Sequence, residues 1–264
     1  MNSKILILGF HRVGYPPLDA RIRGLFTSPR LLTFELWLLS KLGYQFSTLR
    51  DAMTAPAGRI AVVTFDDGYE DNFTAALPIL ERFHAPATIF VVTGDIGKKA
   101  VVWDEADEKL PANMISWDML EQLQRKGWEI GSHGHSHVHF DTKNRSVQEA
   151  LVCHSVAEIE NELGIAPISF AYPFGSFNET TKATLRQFGI RFAVTTNAPL
   201  PRDLQYPGDL LELKRVELGG RKFHHFVKTI LQTAKAIGMS EVVKSLASEY
   251  LIRIVPQGTA SRRF

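Results

Sequence analysis

Three short clusters hold side chains whose types and spacing can do chemistry. The first, Thr64-Phe65-Asp66-Asp67-Gly68-Tyr69, follows an apolar run. Two adjacent carboxylates at the end of a strand sit where α/β folds place their active sites. Neighbouring residues leave a strand in different directions, so one Asp can ligate a metal while the other faces substrate. Gly68 would let the backbone turn sharply behind them. The plain alternative is a turn with two solvated carboxylates. The second cluster is Ser132-His133-Gly134-His135-Ser136-His137-Val138-His139, which carries four of the chain's nine histidines. Imidazole is the commonest metal ligand, and His133/His137 and His135/His139 both have the i, i+4 spacing that converges on one ion if the segment turns helically. Solvated loop histidines are the alternative. The third, Phe170-Ala171-Tyr172-Pro173-Phe174-Gly175, ends an aromatic run in a turn. Its proline and glycine fix a loop that leaves an N–H able to face a developing oxyanion. Taken alone it reads as a strand ending in a Pro-Gly turn.

Taken together, one carboxylate and two imidazoles make a three-ligand site with open positions, the pattern of a catalytic rather than a closed structural metal. Zn²⁺ suits these donors best, with Co²⁺, Mn²⁺ and Ni²⁺ also open, because ligand type selects weakly. A second Asp beside the metal is the base that metal-assisted hydrolysis requires.

The elements that position these clusters follow from hydropathy. Apolar runs at 4–10, 43–48, 59–65, 87–93, 128–132, 168–172, 190–195 and 210–216 lack clean alternation, as expected of strands buried on both faces. Helical patterns fill 33–42, 71–83, 116–126, 145–163 and 178–188, with start signals at Ser116 and Asn178 and stop signals at Gly43, Gly127, Gly164 and Gly189. Seven or eight strands alternating with helices predict a parallel α/β sheet, open or closed into a barrel. The span 94–112 reads as a long surface loop. From 218 to 264 the pattern is helical, at 223–237 and 241–252, and reads as a C-terminal extension packed on a domain formed by 1–217.

Composition sets the limits. A chain of 264 residues, 45% hydrophobic and 22% charged, is an ordinary globular protein. A net charge of +2 with no block of like charge speaks against a nucleic-acid partner. A single cysteine, Cys153, excludes an internal disulfide framework and a multi-cysteine zinc site. The apolar run 5–10 is too short for a leader core, and no stretch reaches the ~18 apolar residues of a membrane span. The expected location is therefore the cytoplasm or the membrane surface.

These motifs resemble those of the polysaccharide deacetylase family, carbohydrate esterase family 4 or the NodB-homology domain, over roughly residues 1–217. Thr64-Phe65-Asp66-Asp67-Gly68 matches its first motif, Ser132-His133 with His137 its second, and Tyr172-Pro173-Phe174-Gly175 most of its third. Ala87-Thr88-Ile89-Phe90-Val91 and the approach through Ser116-Trp117 and Glu129-Ile130-Gly131 agree as well. The resemblance implies a distorted (β/α)₇ barrel and metal-dependent hydrolysis of an N-acetyl group on an amino sugar in a polysaccharide, oligosaccharide or glycan precursor. Asp67, His133 and His137 would then bind the metal, Asp66 would be the base, and the Tyr172–Phe174 segment would face substrate, with the Phe174 N–H at the oxyanion.

Two departures from the family pattern carry expectations of their own. The third motif normally opens with an Arg that orients the base, where this chain has Ala171; Arg215 is expected to supply that cation. The usual late histidine that acts as general acid has no counterpart after the last strand, where His224 and His225 lie in a helical pattern. Phe10-His11-Arg12-Val13 resembles the N-terminal segment of exopolysaccharide-modifying branches, and His11 is expected to protonate the leaving amine. A deformylase or other amide hydrolase, on a lipid-linked or small substrate, is a neighbouring possibility. A non-catalytic carbohydrate-binding relative is the competing class, and it would be expected to have lost the base or a ligand.

Overall fold

The computed structural model describes residues 4–16, 23–55, 58–99, 112–196 and 208–218. The helical patterns at 223–237 and 241–252, His224 and His225, and most of the 94–112 loop lie outside the described residues. Eleven strands are present among those described: β1 (Lys4–Phe10), β2 (Arg12–Val13), β3 (Phe26–Thr27), β4 (Gln45–Ser47), β5 (Arg59–Phe65), β6 (Thr88–Val91), β7 (Glu129–Ser132), β8 (Ser169–Ala171), β9 (Phe192–Thr195), β10 (Leu213–Lys214) and β11 (Val216–Glu217). The helices are α1 (Pro29–Lys41), α2 (Leu49–Thr54), α3 (Leu77–Glu81), α4 (Trp117–Arg125), α5 (Arg145–Leu163) and α6 (Glu179–Gln187).

The main sheet is parallel and runs β10-β9-β8-β7-β6-β5-β1-β11. Its two ends, β10 and β11, are consecutive in the chain and separated only by Arg215. Leu213 and Lys214 pair with β9, whereas Val216 and Glu217 pair with β1. One broken strand thus closes the sheet on itself, and β4 pairs with the first half of β5 off this path. The result is the expected (β/α)₇ barrel. The expected single strand 210–216 is shorter and split at the residue where its pairing partner changes.

Strand periodicity sorts the core. Leu6, Leu8, Phe10, Ala61, Val63 and Phe65 face outward onto α1, α3 and α4, while Ile5, Ile7, Ile60, Val62, Phe90, Val194 and Leu213 pack together inside. Leu49 and Ala52 of α2 join the inner set. That six-residue helix is absent from the hydropathy reading because it is too short to show a 3.6-residue period. It is fixed by the buried Glu129, whose carboxylate accepts from Arg50 N–H at 2.8 Å and Thr88 Oγ1 at 2.9 Å. Two helices begin where expected, with Ser116 accepting from Met119 N–H and Asn178 from Thr181 N–H. By contrast, α1 begins four residues before the expected 33, capped by Ser28, which accepts from Leu31 N–H. The expected helix 71–83 is instead a π-helical turn, Asn72–Ala76, running into α3. Pro78 has no N–H to offer the carbonyl of Thr74, and the chain widens ahead of it.

Inside the barrel, a Cβ on Gly131 would lie 2.6 Å from both the Phe90 ring and Ser169 Oγ. Gly131→Ala is therefore expected to cost about 1–3 kcal/mol through overpacking, read from the urea midpoint. An unchanged midpoint would show that the interior has room which this packing denies.

Candidate active site

Parallel strands deliver all their C-terminal ends to one mouth of the barrel. Asp66 and Asp67 follow β5, His133 follows β7, Phe174 comes shortly after β8, Arg215 lies between β10 and β11, and His11 follows β1. The register inside β5 runs Ile60, Val62, Thr64, Asp66, so the interior passes from apolar to charged towards this mouth. Asp67 then takes the left-handed conformation (φ 75°), followed by Gly68 (φ 77°). This consecutive reversal sends the two carboxylates apart, at a strain on the order of 1 kcal/mol for the non-glycine residue. A side chain on Gly68 would meet Val91 at 3.1 Å in addition to that strained φ, which is why glycine stands there.

Asp67 turns to the histidines. Its Oδ1 lies 3.2 Å from His133 Nε2 and 3.5 Å from His137 Nε2, and it is buried with no hydrogen-bond partner. Donors about 2.1 Å from a shared tetrahedral ion would stand ~3.4 Å apart, so the three atoms fit a divalent metal. Among the described residues this is the one place where three such donors converge. The convergence does not come from a helical turn, as the i, i+4 spacing suggested. Residues 133–139 form a loop, and His135 and His139 point elsewhere: His135 Nδ1 is 3.0 Å from Glu158, and the His139 ring stacks on Phe174 at 4.1 Å. The carbonyl of Ala171 lies 2.7 Å from His133 Nδ1, which turns Nε2 towards Asp67. The half-exposed Phe174 ring, at φ 58°, also packs on His137 at 4.3 Å.

Asp66 turns the other way, onto Arg215. The fully buried guanidinium donates to both carboxylate oxygens, at 2.7 Å to Oδ1 and in a shorter contact to Oδ2. It also reaches Thr64 Oγ1 at 3.2 Å, the Thr195 carbonyl at 3.2 Å, and Glu217 Oε1 at 2.7 Å. His11 sits between two carboxylates, its Nε2 3.9 Å from Asp66 Oδ2 and its Nδ1 4.0 Å from Glu217 Oε2. Arg215 therefore stands where a cation for Asp66 was expected. Glu217 was missed by the sequence reading, although a residue two along a strand from Arg215 shares its face. Tyr172 is a correction. Its ring is buried between Phe170 and Phe177, and its hydroxyl donates to the Leu211 carbonyl at 2.8 Å, because the side chain leaves β8 towards the outer core.

Electrostatics separate the groups. Burial pushes the Asp66 carboxyl up, but the charge and hydrogen bonds of Arg215 hold it below the ordinary range. Asp67 is likewise held low: burial pushes it up but is outweighed by the adjacent His133 and His137 imidazoles. Burial also lowers His133, but Asp67 and Asp66 raise it above its usual value. His137 is pushed down to about 4 by burial, which the charge of Asp67 only partly offsets.

This asymmetry predicts the proton count of metal binding. At pH 6, two ordinary imidazoles would release about 1.5 protons on ligation. Here His137 is already neutral and His133 holds its proton, so close to one proton is expected. Calorimetric Zn²⁺ titration in buffers of differing ionisation enthalpy measures this number, and a value near 1.5 would contradict the asymmetry.

A family profile described as polysaccharide deacetylase matches residues 54–193. That span holds Asp66, Asp67, His133, His137 and Phe174, but neither His11 nor Arg215 and Glu217. The poly-beta-1,6-N-acetyl-D-glucosamine N-deacetylase of Staphylococcus aureus (strain MRSA252) is 26% identical over 177 residues, covering 63% of this chain and 57% of its own. YxkH of Bacillus subtilis (strain 168), whose name carries the same family, is 27% identical over 160 residues, 58% of this chain and 53% of its own. The chain thus spans little more than half the length of these curated relatives. Among solved structures, IcaB from Ammonifex degensii superposes with a TM-score of 0.72 at 23% identity, over 86% of this chain and 97% of that one. The Streptococcus pyogenes deacetylase PplD, solved in complex with acetate, gives 0.69 at 24% identity, over 83% and 94%. These superpositions speak for the barrel, and the profile runs through more than half the sequence, across the carboxylate pair and both histidines. The chain belongs to the polysaccharide deacetylase family.

Proposed function

We propose that this protein is a metal-dependent hydrolase that removes the N-acetyl group from an amino sugar in a polysaccharide, oligosaccharide or glycan precursor. One observation carries the reading: a three-donor metal site and a separately held carboxylate, made from adjacent residues, share one barrel mouth. The names of the relatives support the substrate class. The donor set, one carboxylate and two imidazoles, suits Zn²⁺, with Co²⁺, Mn²⁺ and Ni²⁺ as substitutes. When bound, the ion supplies Lewis acidity to the amide carbonyl and to the attacking water.

The chain's own residues do the rest. Asp66, ionised and clamped by Arg215, takes a proton as water adds to the carbonyl carbon. The Phe174 N–H, in a turn closed by Gly175 N–H to the Tyr172 carbonyl at 2.8 Å, faces the developing oxyanion. His11 gives a proton to the departing sugar nitrogen as the C–N bond breaks, leaving acetate and a free amine. Its ring stands between the Asp66 and Glu217 carboxylates at the mouth where the sugar nitrogen would depart. Among the described residues no helix is long and apolar enough to cross a membrane. We place the reaction in the cytoplasm or at the membrane surface, supported by the single cysteine and testable by cell fractionation.

Metal content and acetate release from N-acetylglucosamine oligomers, compared between wild type and Asp66→Asn, test the core of this reading. Both proteins should bind one metal, with turnover of the variant lowered by roughly 10²–10⁴-fold. Acetate release undiminished in Asp66→Asn would exclude Asp66 as base. Arg215→Lys keeps a cation but loses the planar fork. Because Arg215 depresses Asp66, its loss raises the Asp66 pKa, and the acid limb of the kcat/KM profile should move to higher pH. An unmoved limb would detach Arg215 from the base.

A further inference from the structure

We infer that Asn72, together with Asp71, is a positioning residue that holds His11 over the site; the inference rests on the reading of His11 given above. His11 lies in the gap between β1 and β2, where no strand ladder fixes it. Its carbonyl accepts from Asn72 Nδ2 at 2.7 Å. The next two residues are tied to Asp71, whose carboxylate accepts from the Val13 N–H at 2.9 Å and from Arg12 Nε at 3.0 Å. The Arg12 guanidinium is packed between two rings, 4.6 Å from the centroid of Phe26 and 5.1 Å from that of Tyr69. Residues 11–13 are therefore fastened on both sides to the segment that begins with Asp66 and Asp67.

Asn72 looks like a poor choice for stability alone. It is fully buried, yet its Oδ1 has no hydrogen-bond partner. An orphaned buried acceptor costs about 1–3 kcal/mol, whereas an apolar group of the same shape is nearly neutral. What an apolar residue would lack is the donor aimed at the His11 carbonyl. Asn72 also opens the π-helical turn, a widened geometry that recurs at functional sites. The polar group thus stands at a position from which a side chain on the base-bearing segment reaches the backbone of His11.

Asn72→Leu removes the orphaned oxygen together with the donor, and the carbonyl it releases belongs to His11, a partly exposed residue that water can reach, so the fold should tolerate it. Metal stoichiometry and Tm should stay near wild type, while kcat for acetate release from N-acetylglucosamine oligomers falls about tenfold with little change in KM. In a His11→Gln background the same substitution should cost nothing further, since the group it positions is gone. Independently of turnover, the His11 ring signals in long-range ¹⁵N–¹H spectra should shift or broaden in Asn72→Leu. Unaltered His11 signals overturn the clamp, as does an equal loss in both backgrounds, which would mark a general packing effect. Full turnover by His11→Gln would overturn the acid role and the clamp with it. Loss in His11→Gln alone, with Asn72→Leu at wild-type level, would overturn only the clamp. Should Asn72→Leu not fold, Arg12→Met tests the other side of the fastening by the same kcat and ring-signal readouts.

Discussion

The contact between Arg215 and Asp66 is the constraint on which the rest of the structure turns. Burying two charges costs several kcal/mol per ion, recovered only when geometry is good and the remaining hydrogen-bonding capacity is used. Both conditions are met. The guanidinium donates in a fork to the carboxylate and spends further N–H groups on Thr64 and the Thr195 carbonyl, with Glu217 beside it as a second ion-pair partner. Losing either partner would strand the other charge, at about 3–5 kcal/mol. Arg215 occupies the single residue at which the last strand leaves β9 and joins β1. Closing the barrel and charging its mouth are therefore one structural event.

From that pair the division of labour between the adjacent carboxylates follows. Asp66 continues the inward register of β5 and is claimed by Arg215. Asp67 escapes this register only by adopting a left-handed backbone, which carries it to His133 and His137. Had both continued as strand, one would have faced the outer core. The modest strain at Asp67 is the cost of making two chemically distinct carboxylates from consecutive positions. The histidines diverge in turn: His133 lies between two anions and is raised, whereas His137 is lowered by burial and by the His133 charge beside it.

The family profile ends before β10 and begins after β1, so the groups around the far side of Asp66 come from outside it. The family's third motif would bring an Arg at the end of β8. Here that position is Ala171, whose carbonyl supports His133, and the cation arrives from the closing strand instead. His11 is distant in sequence from Arg215 and Glu217 yet stands within a few ångströms of Glu217, because a closed barrel makes its first and closing strands neighbours.

How much of this the sequence carried depends on the range of the interaction. Local chemistry was legible: Asp66-Asp67-Gly68, the histidine loop and the helix caps at Ser116 and Asn178 are written in contiguous residues. The main parallel sheet was legible too, since alternating short apolar and longer amphipathic runs leave few arrangements, but the two-residue strands β2 and β3 were not. Four features needed the fold. Which histidine pair converges was left open by spacing alone, and the loop at 133–139 settled it without the helical turn that spacing implied. Tyr172 was drawn towards substrate by its motif, but the face on which it leaves β8 buries it. Glu217 carried no motif, and α2 is too short for a periodic signal. Pairings formed within a few residues are dictated by the covalent chain. Those that depend on which strands become neighbours, including the Arg215–Asp66 pair, were decided only when the sheet closed.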